Sequence, residues 1–340
     1  AGRAVVREIV RRYRPSRVLV LCGPGNNGGD GWVIARRLRE LGWPVRVHSL
    51  LPRERLRGDA AVAASRWPGP VRSFAELDVG WAELVVDAIF GCGLAREVTG
   101  EAARAIAAVA ASGLPVVAVD IPTGIDGATG EVRGCALRAV LTVTFVRAKP
   151  GHFLLPGRMY RGELRVADIG IAAACVQAHD EGIRCNHPRL WQKLLPQRTP
   201  MSHKYRFGHL FVVGGPRPTT GAARLAAVAG LRVGAGLVSV LCEEDALSIY
   251  ASGLVTVMTK PYRDAEEFRA RIADPRITAF VFGPGAGLQE LTRQRTLDLL
   301  ATGRPVLLDA DALSVFSNQP ATLFAALRAD CVLTPHDGEY

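Results

Sequence analysis

The side chains with the clearest chemical potential lie in and after a glycine-rich run. Residues 23–31 read Gly-Pro-Gly-Asn-Asn-Gly-Gly-Asp-Gly, directly after the apolar run 18–21 and before an amphipathic stretch from Trp32 to Leu41. Glycines let a backbone pass close to a ligand, and the free N–H groups of a helix start favour a phosphate. A nucleotide-like anion is therefore expected here. Gly23, Gly25 and Gly28 satisfy the dinucleotide fingerprint, but that fingerprint also wants an acidic residue after the second strand to hold a ribose hydroxyl. The second apolar run, Val45 to Leu50, offers Arg46 and His48 and no carboxylate, which counts against an NAD-dependent oxidoreductase. Asn26, Asn27 and Asp30 supply oxygen-bearing side chains that a simple phosphate turn does not need.

Two further carboxylates close apolar runs. Asp87 precedes a Gly-Cys-Gly turn, and Asp120 precedes Ile121 and Pro122. Each on its own also fits a turn former or helix cap. Asn27, Asp87 and Thr123 taken together put three oxygens at run ends, which is the donor set that hard cations require.

The elements that must position these groups are short β-branched runs at 18–21, 45–50, 84–89, 116–119, 140–145 and 164–169, alternating with Ala- and Arg-rich helical stretches such as 58–66 and 101–112. Alternating strands and helices predict an α/β fold with a mostly parallel sheet covered on both faces. Ligands bind such sheets at the carboxyl ends of the strands. Asp87, Asp120 and the glycine-rich run all fall there. From 172 to 198 the periodicity dissolves, which reads as an interdomain connection. A second alternating series follows at 210–213, 237–241, 278–282, 306–308 and 331–334.

Length and composition agree with two domains. The 340 residues exceed a soft prior of roughly 150 per domain, and 49% of them are hydrophobic, enough for a core in each. No run approaches the ~20 apolar residues of a membrane helix and no signal-peptide core is visible, so a cytoplasmic protein without a membrane partner is expected. The seven cysteines form no Cys-x-x-Cys pair, which argues against a disulfide framework or a zinc site. The net charge of +10 comes almost wholly from arginines spread along helices, so a solvated surface attractive to phosphorylated small molecules is favoured over nucleic-acid binding.

The glycine-rich run resembles that of the NAD(P)H-hydrate epimerases. Four further segments extend the resemblance in order: residues 87–94 (Asp-Ala-Ile-Phe-Gly-Cys-Gly-Leu), 119–124 (Val-Asp-Ile-Pro-Thr-Gly), 149–151 (Lys-Pro-Gly) and 166–170 (Val-Ala-Asp-Ile-Gly). The resemblance implies a Rossmann-like three-layer domain over residues 1–182. It implies potassium bound at Asn27, Asp87 and Thr123, and substrate contacts at Asn26, Asn27, Gly28, Gly29, Asp30, Gly91, Cys92, Gly93, Leu94, Ala95, Arg96, Glu97 and Asp120. The family more often has Ser at Thr123 and Thr at Cys92. The substrates implied are NADHX and NADPHX, whose hydrated ring carries a hydroxyl at C6. Interconverting its epimers breaks and remakes a bond at that carbon with proton movement. Asp120 and Lys149 are the catalytic pair this implies, since a carboxylate beside a lysine can trade protons.

Residues 183–340 resemble the front portion of the ribokinase-like, ADP-dependent NAD(P)H-hydrate dehydratases. The motifs are residues 208–215 (Gly-His-Leu-Phe-Val-Val-Gly-Gly), 283–287 (Gly-Pro-Gly-Ala-Gly), 308–313 (Leu-Asp-Ala-Asp-Ala-Leu) and 333–339 (Leu-Thr-Pro-His-Asp-Gly-Glu). Hydrate contacts at Ala222, Gly285 and His336 are implied, with ADP as cofactor, magnesium left open beside it, and a homo-oligomeric assembly. The chain starts without Met in what reads as mid-helix. In this family the nucleotide and catalytic loops follow the Thr-Pro-His motif and are expected beyond Tyr340, so this half is expected to be truncated. The sequence reading is thus a bifunctional NAD(P)H-hydrate repair enzyme. An oxidoreductase, a non-catalytic nucleotide-binding regulator and a ribokinase-type kinase remain as alternatives.

Overall fold

The structure, a computed structural model, describes residues 1–180 and 182–339. The chain divides into two compact units, Ala1–Arg184 and Cys185–Tyr340, each built around its own parallel sheet.

The first unit is a seven-stranded sheet in the order β3-β2-β1-β4-β5-β6-β7, every pairing parallel. Its strands are β1 (Val18–Cys22), β2 (Val45–Ser49), β3 (Val71–Ser73), β4 (Leu84–Ala88), β5 (Val116–Val119), β6 (Leu141–Phe145) and β7 (Glu163–Ala167). β1, β4 and β5 are buried along their whole length, which explains why they read as continuous apolar runs and not as alternating ones. Two apolar clusters flank the sheet. One packs Val5 and Ile9 of the helix α1 (Gly2–Arg12), with Trp32, Ile34 and Leu38, on Val18, Val20, Val86 and Val117, and the other packs Ala102, Ala105, Ile106 and Val109 on Leu19, Leu21, Val85 and Ala118. The chain winds outward from β1 to β3, returns to β4 beside β1, and then winds the other way. The reversal between β1 and β4 is the topological switch point, and sheets of this kind bind ligands outside the carboxyl ends of the strands at such a point.

Where the sequence suggested a helix from Trp32, the helix α2 (Asn26–Glu40) begins six residues earlier, inside the glycine-rich run. Glycine is disfavoured in a helix by about 1 kcal/mol relative to alanine, but close packing demands it here. A Cβ on Gly28 would lie 1.9 Å from the carbonyl oxygen of Gly23, and one on Gly31 would lie 2.7 Å from the Ala88 side chain. The glycines bring the start of the helix onto the ends of β1 and β4.

The second unit has six parallel strands in the order β10-β9-β8-β11-β12-β13: β8 (His209–Val213), β9 (Leu237–Glu243), β10 (Met258–Tyr262), β11 (Ala279–Phe282), β12 (Val306–Leu308) and β13 (Val332–Leu333). Its switch point lies between β8 and β11. The edge strands β3 and β10 had no counterpart among the expected strands. β3 is three residues long and largely exposed, and β10 contains Pro261, which an edge strand tolerates and an interior strand does not. The stretch read as the interdomain connection, 172–198, contains short exposed helices at Ala173–Ala178 and Pro188–Trp191. No helix among the described residues is long and apolar enough to cross a membrane.

Candidate active site

At the switch point of the first unit, four consecutive strands of the sheet deliver polar groups to the same end. β1 leads through Gly23 to Asn27 on the first turn of α2, β4 carries Asp87 in register with Leu21 of β1, β5 runs into Asp120, and β6 leads to Lys149.

Asp120 is held by an unusual backbone. Its N–H donates to the carbonyl of Val143 at 2.9 Å, extending the β5–β6 ladder by one residue, and the chain then turns away with φ +68°. This left-handed conformation costs a non-glycine residue of order 1 kcal/mol, and Asp adopts it more readily than most. The turn aims the carboxylate at Lys149, Thr144 and the Cys92 N–H. Oδ1 accepts from Lys149 Nζ at 2.6 Å and from Thr144 Oγ1 at 2.9 Å, while Oδ2 accepts from the Cys92 N–H at 3.1 Å. Burial opposes the charge of Asp120, yet the adjacent Lys149 ammonium and the donated hydrogen bonds more than offset it, holding the carboxyl below its ordinary range. Lys149 Nζ also donates to Thr144 Oγ1 at 2.8 Å. The ion pair is only partly covered, with the Lys149 side chain 24% exposed and that of Asp120 11%. A substrate atom can therefore reach it.

Asn27 and Gly91 complete this face. A Cβ on Gly91 would lie 3.1 Å from Asn27 Oδ1 and 3.2 Å from Asp120 Oδ2, so the glycine lets amide and carboxylate flank one backbone segment. The Nδ2 of Asn27 is buried without a hydrogen-bond partner.

Asp87 lies deeper and is fully buried. Its Oδ2 accepts from the Thr123 N–H at 2.7 Å, and its Oδ1 accepts from Thr123 Oγ1 at 2.6 Å and from the Ile89 N–H at 3.3 Å. The Phe90 N–H in turn donates to Thr123 Oγ1 at 3.0 Å. Burial raises the carboxyl to about 6, the hydrogen bonds from Thr123 and Ile89 restraining the rise. No lysine, arginine or histidine forms an ion pair with it among the described residues.

The other residues singled out in the sequence take varied positions. Asn26 is exposed at the helix start; Gly28 and Gly29 are buried, with the Cα of Gly29 facing Ala60. Asp30 is half-buried, accepts from the Gly2 N–H at 2.7 Å, and is shifted upward mainly by burial. Gly93, Ala95, Arg96 and Glu97 are exposed in the loop after Cys92, and Leu94 is half-buried there. In the second unit the expected contacts follow β8, β11 and β13. Ala222 is exposed on the helix Thr220–Val233, and Gly285 has φ +72° with its carbonyl accepting from Thr219 Oγ1 at 2.6 Å. A Cβ on Gly215 would lie 2.2 Å from that same Gly285 carbonyl, so the loops after β8 and β11 meet at the second switch point. His336 is exposed and its Nε2 lies 3.0 Å from Glu339 Oε1.

Sequence reasoning missed Thr144 and His152, both fully buried in the first unit. His152 follows Lys149-Pro150-Gly151 directly, and a histidine three residues from a candidate catalytic lysine was a signal open to notice.

Comparison with known proteins places these features in a family. Residues 1–151 match the family described as "YjeF-related protein N-terminus" and residues 210–340 match that described as "NAD(P)H-hydrate dehydratase". The chain is 36% identical over 343 residues to the bifunctional NAD(P)H-hydrate repair enzyme of Coxiella burnetii, an alignment covering all of this chain and 69% of that protein. It is 33% identical over 344 residues to the enzyme of the same name from Escherichia coli, again across the whole chain and 65% of the relative. Among solved structures, the ADP/ATP-dependent NAD(P)H-hydrate dehydratase from Bacillus subtilis, co-crystallised with ATP and Mg2+, is 28% identical over 43% of this chain and 50% of that one, with a TM-score of 0.34. With both halves matched and the alignment to the Coxiella enzyme running from end to end, this chain belongs to the family of bifunctional NAD(P)H-hydrate repair enzymes.

Proposed function

We propose that the first unit epimerises NADHX and NADPHX at the Asp120–Lys149 pair, and that the second unit binds the hydrate for nucleotide-dependent dehydration. The observation that carries the first part is the 2.6 Å contact between Lys149 Nζ and Asp120 Oδ1 at the end of β5, with Gly91 set between that carboxylate and Asn27 of the glycine-rich run.

The chemistry asked of the pair is reversible loss of the C6 hydroxyl. Lys149 as ammonium holds a proton to give, and Asp120 as carboxylate can take one. Protonation of the hydroxyl lets its C–O bond break with water as the leaving group, the ring nitrogen supplying the electron pair to give a C6=N iminium. Water then adds to the opposite face and gives its proton to the Asp120 carboxylate, which passes it across the 2.6 Å contact to the Lys149 amine, so the pair is restored and the sum is a change of configuration with no oxidation. A positioned acid–base pair contributes typically 10²- to 10⁴-fold to such a step. Thr144 fixes the facing edges of both groups, and the Cys92 N–H holds the far oxygen of Asp120.

Asn27, Asp87 and Thr123 fit a monovalent cation. Asp87 is a fully buried carboxylate without an ion-pair partner among the described residues, at the same end of the sheet as the buried Nδ2 of Asn27, and it calls for a compensating charge. Potassium would supply a fixed positive charge there, and Asn26, Gly28, Gly29, Asp30 and residues 91–97 would line the substrate. In the second unit, Ala222, Gly285 and His336 would contact the hydrate, with ADP and magnesium serving to turn the ring hydroxyl into a phosphate leaving group. A cytoplasmic setting is proposed with this function. The test is chiral chromatography of NADHX epimers with purified protein, with and without potassium: interconversion accelerated by potassium supports the proposal, and a mixture that equilibrates no faster than in buffer refutes it.

A further inference from the structure

His152 lies beneath the Asp120–Lys149 pair and touches the backbone of both. Its Nδ1 is 2.9 Å from the Lys149 N–H and its Nε2 is 2.9 Å from the carbonyl oxygen of Asp120. A backbone N–H can only donate, so Nδ1 is bare, the single ring proton sits on Nε2, and Nε2 donates to Asp120. The imidazole is neutral and fully buried, and its own carbonyl accepts from Arg161 Nε at 2.6 Å, which anchors it from behind. The carbonyl that His152 grips belongs to the residue with φ +68°, where the chain leaves the ladder. Without that donor the carbonyl would be a buried acceptor at the point of strain, and the peptide after Asp120 would be free to relax.

We infer that His152 is the positioning residue of this site: its Nε2–H fixes the left-handed turn that aims Asp120, while its Nδ1 seats the imidazole on the start of the loop that carries Lys149. The inference rests on the proton-transfer reading of those two residues. The carboxylate and ammonium come from strand ends far apart in sequence, and Thr144 fixes only their tips. His152 reaches the main chain of both, and its bond to the Asp120 carbonyl sets the direction in which the carboxylate meets Lys149. A displacement near 1 Å in such a site can cost about 10²-fold in rate.

Two near-isosteric replacements divide the two bonds. In His152→Asn the amide oxygen takes the place of Nδ1, keeping the acceptor for Lys149 N–H and losing the donor to Asp120. In His152→Gln the amide nitrogen reaches the place of Nε2, keeping the donor to Asp120 and losing the acceptor. Both remove an aromatic ring from the same cavity, so a role confined to packing lowers melting temperature and rate alike in the two proteins. Positioning of Asp120 separates them. For epimerisation of NADHX at saturating potassium, kcat of His152→Asn falls by about 10- to 100-fold with KM changed less than about threefold, while His152→Gln stays within about fivefold of the parent. Equal kcat in the two variants, whether both intact or both reduced, overturns the inference. Asp120→Asn and Lys149→Met, assayed in parallel, keep the two questions apart. If they too retain the parent rate, the proton-transfer reading itself has failed; if they lose it while the His152 variants match, only the role of His152 has.

Discussion

Lys149 and Asp120 lie 29 residues apart in sequence, yet the Nζ of one is 2.6 Å from the Oδ1 of the other because β5 and β6 are parallel neighbours that end at the same level. The pairing is a consequence of topology. It joins the two charges at that end of the sheet and leaves Lys149 reachable from solvent.

Lys149→Met removes the ammonium while retaining much of the side-chain bulk. Turnover of NADHX epimers should fall by about 10²- to 10⁴-fold. With burial no longer offset, the Asp120 carboxyl should titrate at higher pH than in the parent, moving the acid limb of the residual rate upward. A pH–rate profile unchanged in shape and height would remove Lys149 from the mechanism.

The state of Asp87 makes a prediction about potassium that needs no enzyme assay. Its carboxyl is raised to about 6 by burial, above the ordinary 3.8, so the folded protein binds more protons than the unfolded chain between those values. Stability on this account falls as pH rises from about 4 to 6, and the ionised form costs the fold up to ~3 kcal/mol at neutral pH. A cation beside it should recover part of that loss. Melting curves should therefore show potassium-dependent stabilisation at pH 7.5 that fades by pH 5, and Asp87→Asn should abolish it. Equal stabilisation in the variant would place the ion elsewhere.

The ends of the central strands were legible in the sequence because these are parallel and buried, and such strands announce themselves as unbroken apolar runs. Val116–Val119 and Val306–Leu308 coincide with the observed strands. The placement of Asp87 and Asp120 at one end of the sheet follows from the alternation alone, while Lys149 entered only through the family resemblance. Less visible was the early start of α2, because glycine propensity predicts a turn while packing of Gly28 on Gly23 enforces a helix. Thr144 and His152 were missed for another reason. Their importance lies in hydrogen bonds to residues distant in sequence, and Thr144 in Leu-Thr-Val-Thr-Phe looks like any strand residue.

The neutral state of His152 gives a second pH signature. Burial lowers its pKa, with the charges of Lys149 and Arg161 acting in the same direction and the Asp120 carbonyl and carboxylate opposing. For a depressed histidine the stability contribution is full above the unfolded value near 6.5 and is lost as pH falls below it. His48 and His209 are depressed too and act with the same sign, so the comparison has to be with a variant. Between pH 6.5 and 5 the parent should lose stability more steeply than His152→Gln. Parallel melting curves across that range would contradict the assignment.

Gly28→Ala tests the packing that delivers Asn27. The new Cβ would meet the Gly23 carbonyl at 1.9 Å, a backbone contact that no rotamer change can relieve. Overpacking of this kind costs about 1–3 kcal/mol. Chemical denaturation should show a loss of that size or more together with loss of epimerisation; a neutral change in both would mean that the start of α2 lies further from β1.

The measurement closest to the centre of this account is the rate of R-NADHX to S-NADHX conversion by Asp120→Asn, followed by chiral chromatography in potassium and normalised to folded protein. Asparagine keeps the shape and much of the hydrogen bonding to Thr144 and Cys92, but it cannot exchange a proton usefully. The account predicts a rate about 10²- to 10⁴-fold below the parent with a folded, substrate-binding protein. Conversion within about twofold of the parent, or a protein that merely melts earlier and turns over normally, would contradict it and return Asp120 to the role of a turn-forming residue.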